Sequence, residues 1–205
     1  MALFAAGQNL PGDYGIGIDE RCVEIPWLFA KLRNISGGIL DAGSALNYAY
    51  LIDRLLRDDR KLDIMTLAPE KPSFTHRGVG YLYEDLRNIP IVDEHYDCVA
   101  CISTLEHIGF NNEAFTKRPA EAEHRPTDYL RACAEMLRVL RRGGRLLLTV
   151  PFGKYSGRWS IPTIQRKGDR PSGRLHEGRE NRYRLFQAAP NGSVGCRDGR
   201  GMRAV

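Results

Sequence analysis

The segment from Ile39 to Leu56 most constrains how this chain can fold. The apolar run Ile39–Ala42 contains one acid, Asp41, and is followed by the small-residue turn Gly43–Ala45. Apolar residues then recur at helical spacing from Leu46. A strand, a tight turn and a helix in this order open a βαβ unit, in which small residues let the backbone approach a ligand at the helix N-terminus. The sequence therefore predicts a ligand site at this turn.

The remainder of residues 20–153 alternates between helical and strand patterns. Helices are predicted at Cys22–Asn34, Leu46–Arg57 and Pro126–Arg141, and strands at Ile39–Ala42, Leu62–Leu67, Gly80–Glu84, Tyr96–Ser103 and Arg145–Val150. This alternation predicts an α/β fold with a doubly wound, mainly parallel sheet and helices on both faces. Ligands of such sheets bind at the carboxyl ends of the strands, so we expect the turns after strands 1, 3 and 4 to form the site.

Composition restricts where such a protein works. The 205 residues fit one domain, and no apolar run reaches the roughly 20 residues of a membrane span. The first residues lack the basic region of a signal peptide, and five scattered cysteines favour a reducing compartment. We therefore expect a cytoplasmic protein that does not act at a membrane.

The basic charge of the chain is confined to its C-terminal part. Residues 1–153 hold 18 Lys or Arg and 21 Asp or Glu, whereas residues 154–205 hold 12 and 4. We expect residues 1–153 to form the folded domain and residues 154–205 to form a basic, Arg/Gly-rich and poorly ordered tail without a strand pair. A nucleic-acid-binding arm and the product of a shifted reading frame are the alternatives for this tail.

Four segments together resemble the ordered motifs of class I S-adenosylmethionine-dependent methyltransferases. They are Ile39–Ala45, Tyr83–Pro90, Tyr96–Val99 running into Ser103–Ile108, and Leu137–Gly153. The resemblance covers about residues 20–153 and implies a Rossmann-like fold and S-adenosyl-L-methionine as the cofactor. The family closes its sheet with a C-terminal β-hairpin, which the sequence after Gly153 does not show.

The first of these motifs implies the site for the methionine end of the cofactor. The resemblance places Asp41, Ala42, Gly43 and Ser44 there, with the carboxylate of Asp41 accepting hydrogen bonds from turn amides or from the cofactor's ammonium group. Ala45 stands where the family usually has a second glycine. The alternative is a structural turn that binds no ligand.

The later motifs imply the nucleoside and methyl ends of the site. Asp85 resembles the acid that accepts from the adenine amine, and Leu86 the residue whose backbone N–H donates to the ring. An aspartate that bonds only its own turn is the alternative for Asp85. The resemblance places Ser103, Thr104 and Glu106 along the pocket beside the methyl group.

Three side chains have open interpretations. His107 is a candidate general base for an oxygen or nitrogen nucleophile, or a structural histidine. The family commonly has an acid at the end of strand 2 that binds the ribose, and this acid is missing at the end of Leu62–Leu67. Glu70 could replace it if the turn bends back, and an exposed, solvated Glu70 is the alternative. Arg21 and Glu24 are either pocket residues or solvated surface.

The sequence indicates no metal site. Cys98 and Cys101 are three apart in a strand and therefore point to opposite faces, so the thiols should not meet. Ser103 replaces the first acid of the metal-binding cluster that some related RNA methyltransferases carry. This replacement makes a nucleic-acid substrate less favoured, although the basic tail leaves that partner open.

These observations predict an enzyme that methylates an oxygen or nitrogen of a small-molecule acceptor. A degenerate, non-catalytic binding or scaffold protein is the first alternative. A sheet that lacked the hairpin would then be poorly soluble as a monomer, or would form a homo-oligomer that covers its exposed edge. A nicotinamide-dependent oxidoreductase is the second alternative, but Gly43–Tyr48 does not supply its Gly-x-Gly-x-x-Gly turn.

Overall fold

The computed structural model describes most of the predicted domain and part of the tail. Described are residues 4, 6, 8, 10–56, 59–110, 112–113, 123, 125–152, 182–188 and 194–197, with only the backbone for 151–152, 182–188 and 194–197. The elements are α1 (Arg21–Leu32), β1 (Gly38–Ala42), α2 (Ala49–Leu55), β2 (Lys61–Met65), β3 (Gly80–Leu82), β4 (Tyr96–Ile102), α3 (Tyr129–Val139), β5 (Leu140–Phe152), β6 (Arg182–Ala188) and β7 (Val194–Arg197). None of the helices in this part of the chain is long and apolar enough to cross a membrane.

The sheet has the order β3-β2-β1-β4-β5-β6-β7. Its first five strands are parallel to one another, with β1 between β2 and β4. The prediction of a doubly wound, mainly parallel sheet is confirmed. Because the chain leaves β1 for β2 on one side and returns to β4 on the other, the switch point lies at the carboxyl ends of β1 and β4.

The helix after β1 begins later than its apolar pattern indicates. The pattern predicts a start at Leu46, whereas α2 starts at Ala49. The backbone N–H of Leu46 donates to the Asp41 carboxylate at 2.7 Å, and Tyr48 is extended with φ −129° and ψ 135°. The side chain of Asp41 therefore draws the residues after Gly43 into a turn before the helix can begin.

The chain does form a strand pair in its tail, so the expectation that it has none is wrong. β6 is antiparallel to β5, from Leu146 opposite Ala188 to Phe152 opposite Arg182, and β7 is antiparallel to β6. The residues of β6 do not alternate strictly between apolar and polar, and β7 has only four residues. Their pairing depends on backbone hydrogen bonds to distant β5, which a local pattern does not reveal. β6 also covers the edge of β5 that the scaffold alternative left exposed. The domain boundary near Gly153 stays a prediction, and residues 154–181 lie outside the described part.

Both faces of the sheet are buried in apolar layers. Ile39 and Leu40 alternate along β1 and are both fully buried, Ile39 among residues of α1 and α2 and Leu40 among residues of α3. This double burial is characteristic of a central parallel strand and explains its continuous apolar sequence. The helices thus cover the two faces and leave the carboxyl ends of the strands as the place for a site.

Truncating a core side chain of α1 should cost far more stability than truncating an equally large exposed one. Leu28 is completely buried in the layer under α1, whereas Leu137 of α3 is 50% exposed. We expect Leu28→Ala to lower the free energy of unfolding by about 2–5 kcal/mol, since it leaves a cavity. Leu137→Ala should change it by only about 0.5 kcal/mol. Urea unfolding checks both values, and equal effects would contradict this packing.

Candidate functional site

A cavity of about 450 Å³ lies at the carboxyl ends of the parallel strands. Its wall includes Gly43 after β1, Thr66 after β2, Asp85 after β3 and Ser103 after β4. Four turns that are far apart in sequence therefore meet around one space. This is where the strand order predicts a ligand site.

The structure brings most of the predicted site residues to this cavity. Those that line it are Gly43, Asp85, Leu86, Ser103, Thr104 and His107. Those that stand behind its wall, all buried, are Asp41, Ala42, Ser44 and Glu106. Their functional roles stay predictions, but the ten residues form one continuous region at the switch point.

The turn after β1 requires glycine at position 43. Gly43 has φ +125°, and a side chain built on it would collide with the side chain of Thr104. The hydroxyl of Thr104 in turn donates to the carbonyl of Ile102 at 3.0 Å. The backbones after β1 and β4 thus approach closely because glycine leaves room for threonine.

Asp41 is a fully buried carboxylate with one unoccupied oxygen. Oδ2 accepts the 2.7 Å hydrogen bond from Leu46, and Oδ1 has no hydrogen-bond partner among the described residues. Burial raises the pKa of Asp41 to about 7, against the stabilising hydrogen bonds from the turn amides. A hydrogen-bond donor or a cation placed at Oδ1 would favour the charged form.

Glu70 lines the cavity because its turn bends back, so it is no freely solvated glutamate. Its Oε2 accepts from Ser44 Oγ at 2.5 Å and from Asn47 at 3.3 Å, and its Oε1 accepts from Thr66 at 3.1 Å. The side chain is nevertheless exposed, as the alternative interpretation expected. A carboxylate therefore stands beside the end of β2, five residues beyond its last residue, Met65.

Asp85 lines the cavity with a bound arginine. Its carboxylate accepts from the backbone N–H of Arg87 at 2.8 Å and from the guanidinium of Arg87 at 2.7–3.0 Å. Partial burial opposes ionisation, but the hydrogen bonds and charge of Arg87 hold the pKa of Asp85 below its ordinary value. Sequence reasoning missed Arg87, because its other partners, Glu123 and Asp128, are far away along the chain.

Glu24 lies under the cavity and is fully buried, so the solvated-surface interpretation is wrong for this residue. One carboxylate oxygen accepts from Ser103 Oγ at 2.6 Å and from Thr149 Oγ1, and the other accepts from Arg21 at 2.9 Å. Arg21 itself lines the cavity, with its side chain 38% exposed. The pair joins α1 to the turn after β4 and to β5.

Glu106 and His107 both follow β4, but only His107 lines the cavity. Glu106 is buried with Oε2 unpartnered among the described residues, and burial, supported by the negative charge of Glu24, raises its pKa to about 7. His107 lines the cavity, and burial together with the charge of Arg21 lowers its pKa. At neutral pH the imidazole is therefore uncharged and able to accept a proton.

The two cysteines of β4 lie on opposite sides of the sheet, as their spacing predicts. Cys98 packs in the layer under α1 and α2, and Cys101 packs in the layer under α3. Burial raises the pKa of Cys98 to about 12, so the thiol is unreactive at neutral pH. Within the described ranges, no group of three or more His, Cys, Asp or Glu side chains is arranged to hold a metal ion.

A family comparison finds a match in the middle of the chain. Residues 62–148 match the model of a family described as a methyltransferase domain. This segment, which is less than half of the chain, is therefore similar to a methyltransferase domain. The matched segment runs from β2 into β5 and includes the turns of Asp85 and Ser103, whereas the turn of Gly43 precedes it. No curated protein matches the chain significantly.

Solved structures resemble this chain at low sequence identity. A proposed methyltransferase from Bacillus halodurans C-125 is 16% identical with a TM-score of 0.47, covering 65% of this chain and 53% of the other. A proposed sarcosine dimethylglycine methyltransferase from Galdieria sulphuraria is 18% identical with a TM-score of 0.48, covering 70% and 52%. The protein PH0226 from Pyrococcus horikoshii OT3 is 16% identical with a TM-score of 0.48, covering 64% and 57%. The chain thus spans about half the length of these proteins.

The buried acids of the site should make the ligand-free protein less stable as the pH rises. The pKa values of Asp41 and Glu106 are about 7 in the folded protein, above their ordinary values of 3.8 and 4.5. The folded state therefore holds more protons than the unfolded state across this interval, and stability is lost as pH rises through about 7. We expect the free energy of unfolding to fall by about 5 kcal/mol between pH 5 and pH 8, with about half of the fall from each acid.

Substitutions separate this effect from other titrations. Asp41→Asn should remove part of the slope, and Asp41→Asn with Glu106→Gln should remove most of it. Glu135→Gln is the matched control, because the hydrogen bond from Arg138 lowers the pKa of Glu135 and keeps it charged over this interval. Urea unfolding at a series of pH values measures the slopes. An unchanged slope in the double variant would contradict the assignment.

Proposed function

We propose that this protein is an S-adenosylmethionine-dependent methyltransferase that methylates an oxygen or nitrogen of a small-molecule acceptor. The observation that supports this most is the cavity at the switch point, walled by the turns after β1, β2, β3 and β4. Two of these turns, those of Asp85 and Ser103, lie within the matched methyltransferase domain. The acceptor and the cofactor are both part of the proposal.

The donor set of the cavity suits a cationic nucleoside cofactor. Asp41 has an unpartnered buried oxygen that a hydrogen-bond donor such as an ammonium group would satisfy. Glu70 is a carboxylate beside the end of β2, where two neighbouring ribose hydroxyls could donate to it. Asp85 and Leu86 provide an acceptor and a backbone donor for an adenine edge. The cofactor would supply a methyl group on a sulfonium, transferred to the acceptor by in-line displacement.

On this proposal, the acceptor lies near the turn after β4. Ser103 and His107 line the cavity there together with Arg21. The neutral imidazole of His107 can take the proton from the O–H or N–H group of the methyl acceptor while that oxygen or nitrogen forms the new bond to the methyl carbon. Apolar wall residues such as Ile108 and Phe110 reduce the water around the reacting groups. The main contribution of the protein is to align the two reactants.

Calorimetric titration with S-adenosylhomocysteine, alongside NADH, tests the proposal. We expect micromolar one-to-one binding of S-adenosylhomocysteine and none of NADH. Near pH 7 binding should release protons, since a donor at Oδ1 favours ionised Asp41, whose pKa is about 7 in the free protein. Repeating the titration in buffers of different ionisation enthalpy measures this release, which Asp41→Asn should reduce.

Variants at the β2 end make the titration specific. Glu70→Gln should weaken S-adenosylhomocysteine binding about tenfold or more, because a charge-assisted hydrogen bond is replaced by a neutral one. Glu94→Gln is the control, since Glu94 pairs with Arg142 and does not line the cavity. Binding of NADH instead would favour an oxidoreductase. Failure to bind either ligand would contradict the proposed cofactor and favour the scaffold alternative.

A further inference from the structure

Arg87 is the most extensively paired side chain of the cavity wall. Its Nε and Nη2 donate to the Asp85 carboxylate, and its Nη1 donates to Glu123 and to Asp128. Nη2 also donates to Glu123 at 3.3 Å. These bonds use all five N–H groups of the guanidinium, so Arg87 has no donor left for a ligand. The side chain is only 18% exposed, and its hydrogen bonds hold it in one position beside Asp85.

The hydrogen bonds from Arg87 determine how much capacity the Asp85 carboxylate has to accept a hydrogen bond from a ligand. Two ionised carboxylate oxygens offer about four lone-pair positions. The backbone N–H of Arg87 and its Nε and Nη2 groups provide three donors, with Nε shared between both oxygens. Three hydrogens thus make four contacts, two to each oxygen, so the carboxylate has the capacity to accept one more donor while a bidentate arginine contact holds its plane. The Asp85 side chain is 37% exposed, and the residue lines the cavity.

The same contact keeps Asp85 charged. The hydrogen bonds and charge of Arg87 outweigh the partial burial of Asp85 and lower its pKa from the ordinary 3.8. Above that pH the carboxylate has no proton to donate and serves only as an acceptor. An exocyclic amine can donate a hydrogen bond to this carboxylate. The oxo group of another purine is itself an acceptor and cannot form a hydrogen bond with it. A base that covers this carboxylate without donating to it leaves the carboxylate short of a hydrogen bond, which is costly.

We propose that Arg87 is a positioning residue that makes the nucleoside end of this site select an amino-purine over an oxo-purine. The inference deepens the proposed function and rests on it. Arg87 does not touch the base. It acts through Asp85, by fixing the plane of a carboxylate that can accept one more donor from the cavity that Asp85 lines.

The chain contains a matched control for this idea. Arg138 also forms an arginine network, with Glu135, Asp93 and the carbonyls of Ile89 and Ile91. It does not line the cavity. A substitution of Arg138 therefore reports what the loss of an arginine network does to the fold alone.

The experiment compares two ligands that differ only at the base. S-adenosylhomocysteine and S-inosylhomocysteine are titrated into the wild-type protein, Arg87→Gln, Arg87→Lys and Arg138→Gln. We expect the wild type to prefer the adenosyl ligand by about tenfold or more, since an unmade hydrogen bond to a charged group is costly. Arg87→Gln should reduce the preference to within about threefold, and Arg138→Gln should retain it. Arg87→Lys should show an intermediate preference, because one ammonium group cannot make the bidentate contact with the carboxylate.

The outcomes separate this inference from the function on which it rests. A wild type that binds neither ligand contradicts both. A wild type that binds S-adenosylhomocysteine while Arg87→Gln keeps the full preference overturns the role of Arg87 alone. Should Arg87→Gln fail to fold, the wild type still provides a test, because its preference should be constant from pH 5 to pH 8. A preference that declines toward pH 5 would show that Asp85 takes up a proton there and would overturn the inference.

Discussion

The candidate site depends on the hydrogen bonds and the ion pair that the buried Glu24 carboxylate forms. A charge buried this completely is costly unless it is paired and hydrogen-bonded. Glu24 meets that requirement with Arg21 from its own helix, Ser103 after β4 and Thr149 within β5. Because these partners belong to different elements, the need to satisfy one carboxylate fixes α1 over the turn after β4 and over the neighbouring β5. The same geometry places Arg21 in the cavity wall.

The consequences of that contact continue into the ligand turns. Ser103 is held at φ +44°, a left-handed conformation that non-glycine residues seldom adopt, while its hydroxyl donates to Glu24. The next residue, Thr104, packs against Gly43, whose own φ of +125° excludes a side chain. The two turns that meet at the switch point therefore approach this closely because residue 43 has no side chain. Strain of this kind is common at binding sites, where surrounding contacts maintain it.

Local patterns were sufficient to predict the parallel sheet and much of the cavity wall. Continuous apolar runs identify buried central strands, and the sheet rule then places the turns of Gly43, Asp85 and Ser103 together. What the sequence could not reveal depends on long-range contacts. Arg87 is defined by partners 36 and 41 residues away, and β6 is a strand because it pairs with β5. A periodicity covers only neighbouring residues and contains no information about such partners.

Amide hydrogen exchange with and without S-adenosylhomocysteine tests the central claim, that the four turns at the strand ends form one cofactor site. The account predicts slower exchange at residues 43–46, 66–70, 84–87 and 103–107, because bound ligand restricts the opening of all four turns together. Exchange at residues 93–96, which lie at the opposite ends of the strands, should not change. Protection confined to that opposite edge, or no protection at any of the four turns, would contradict the account.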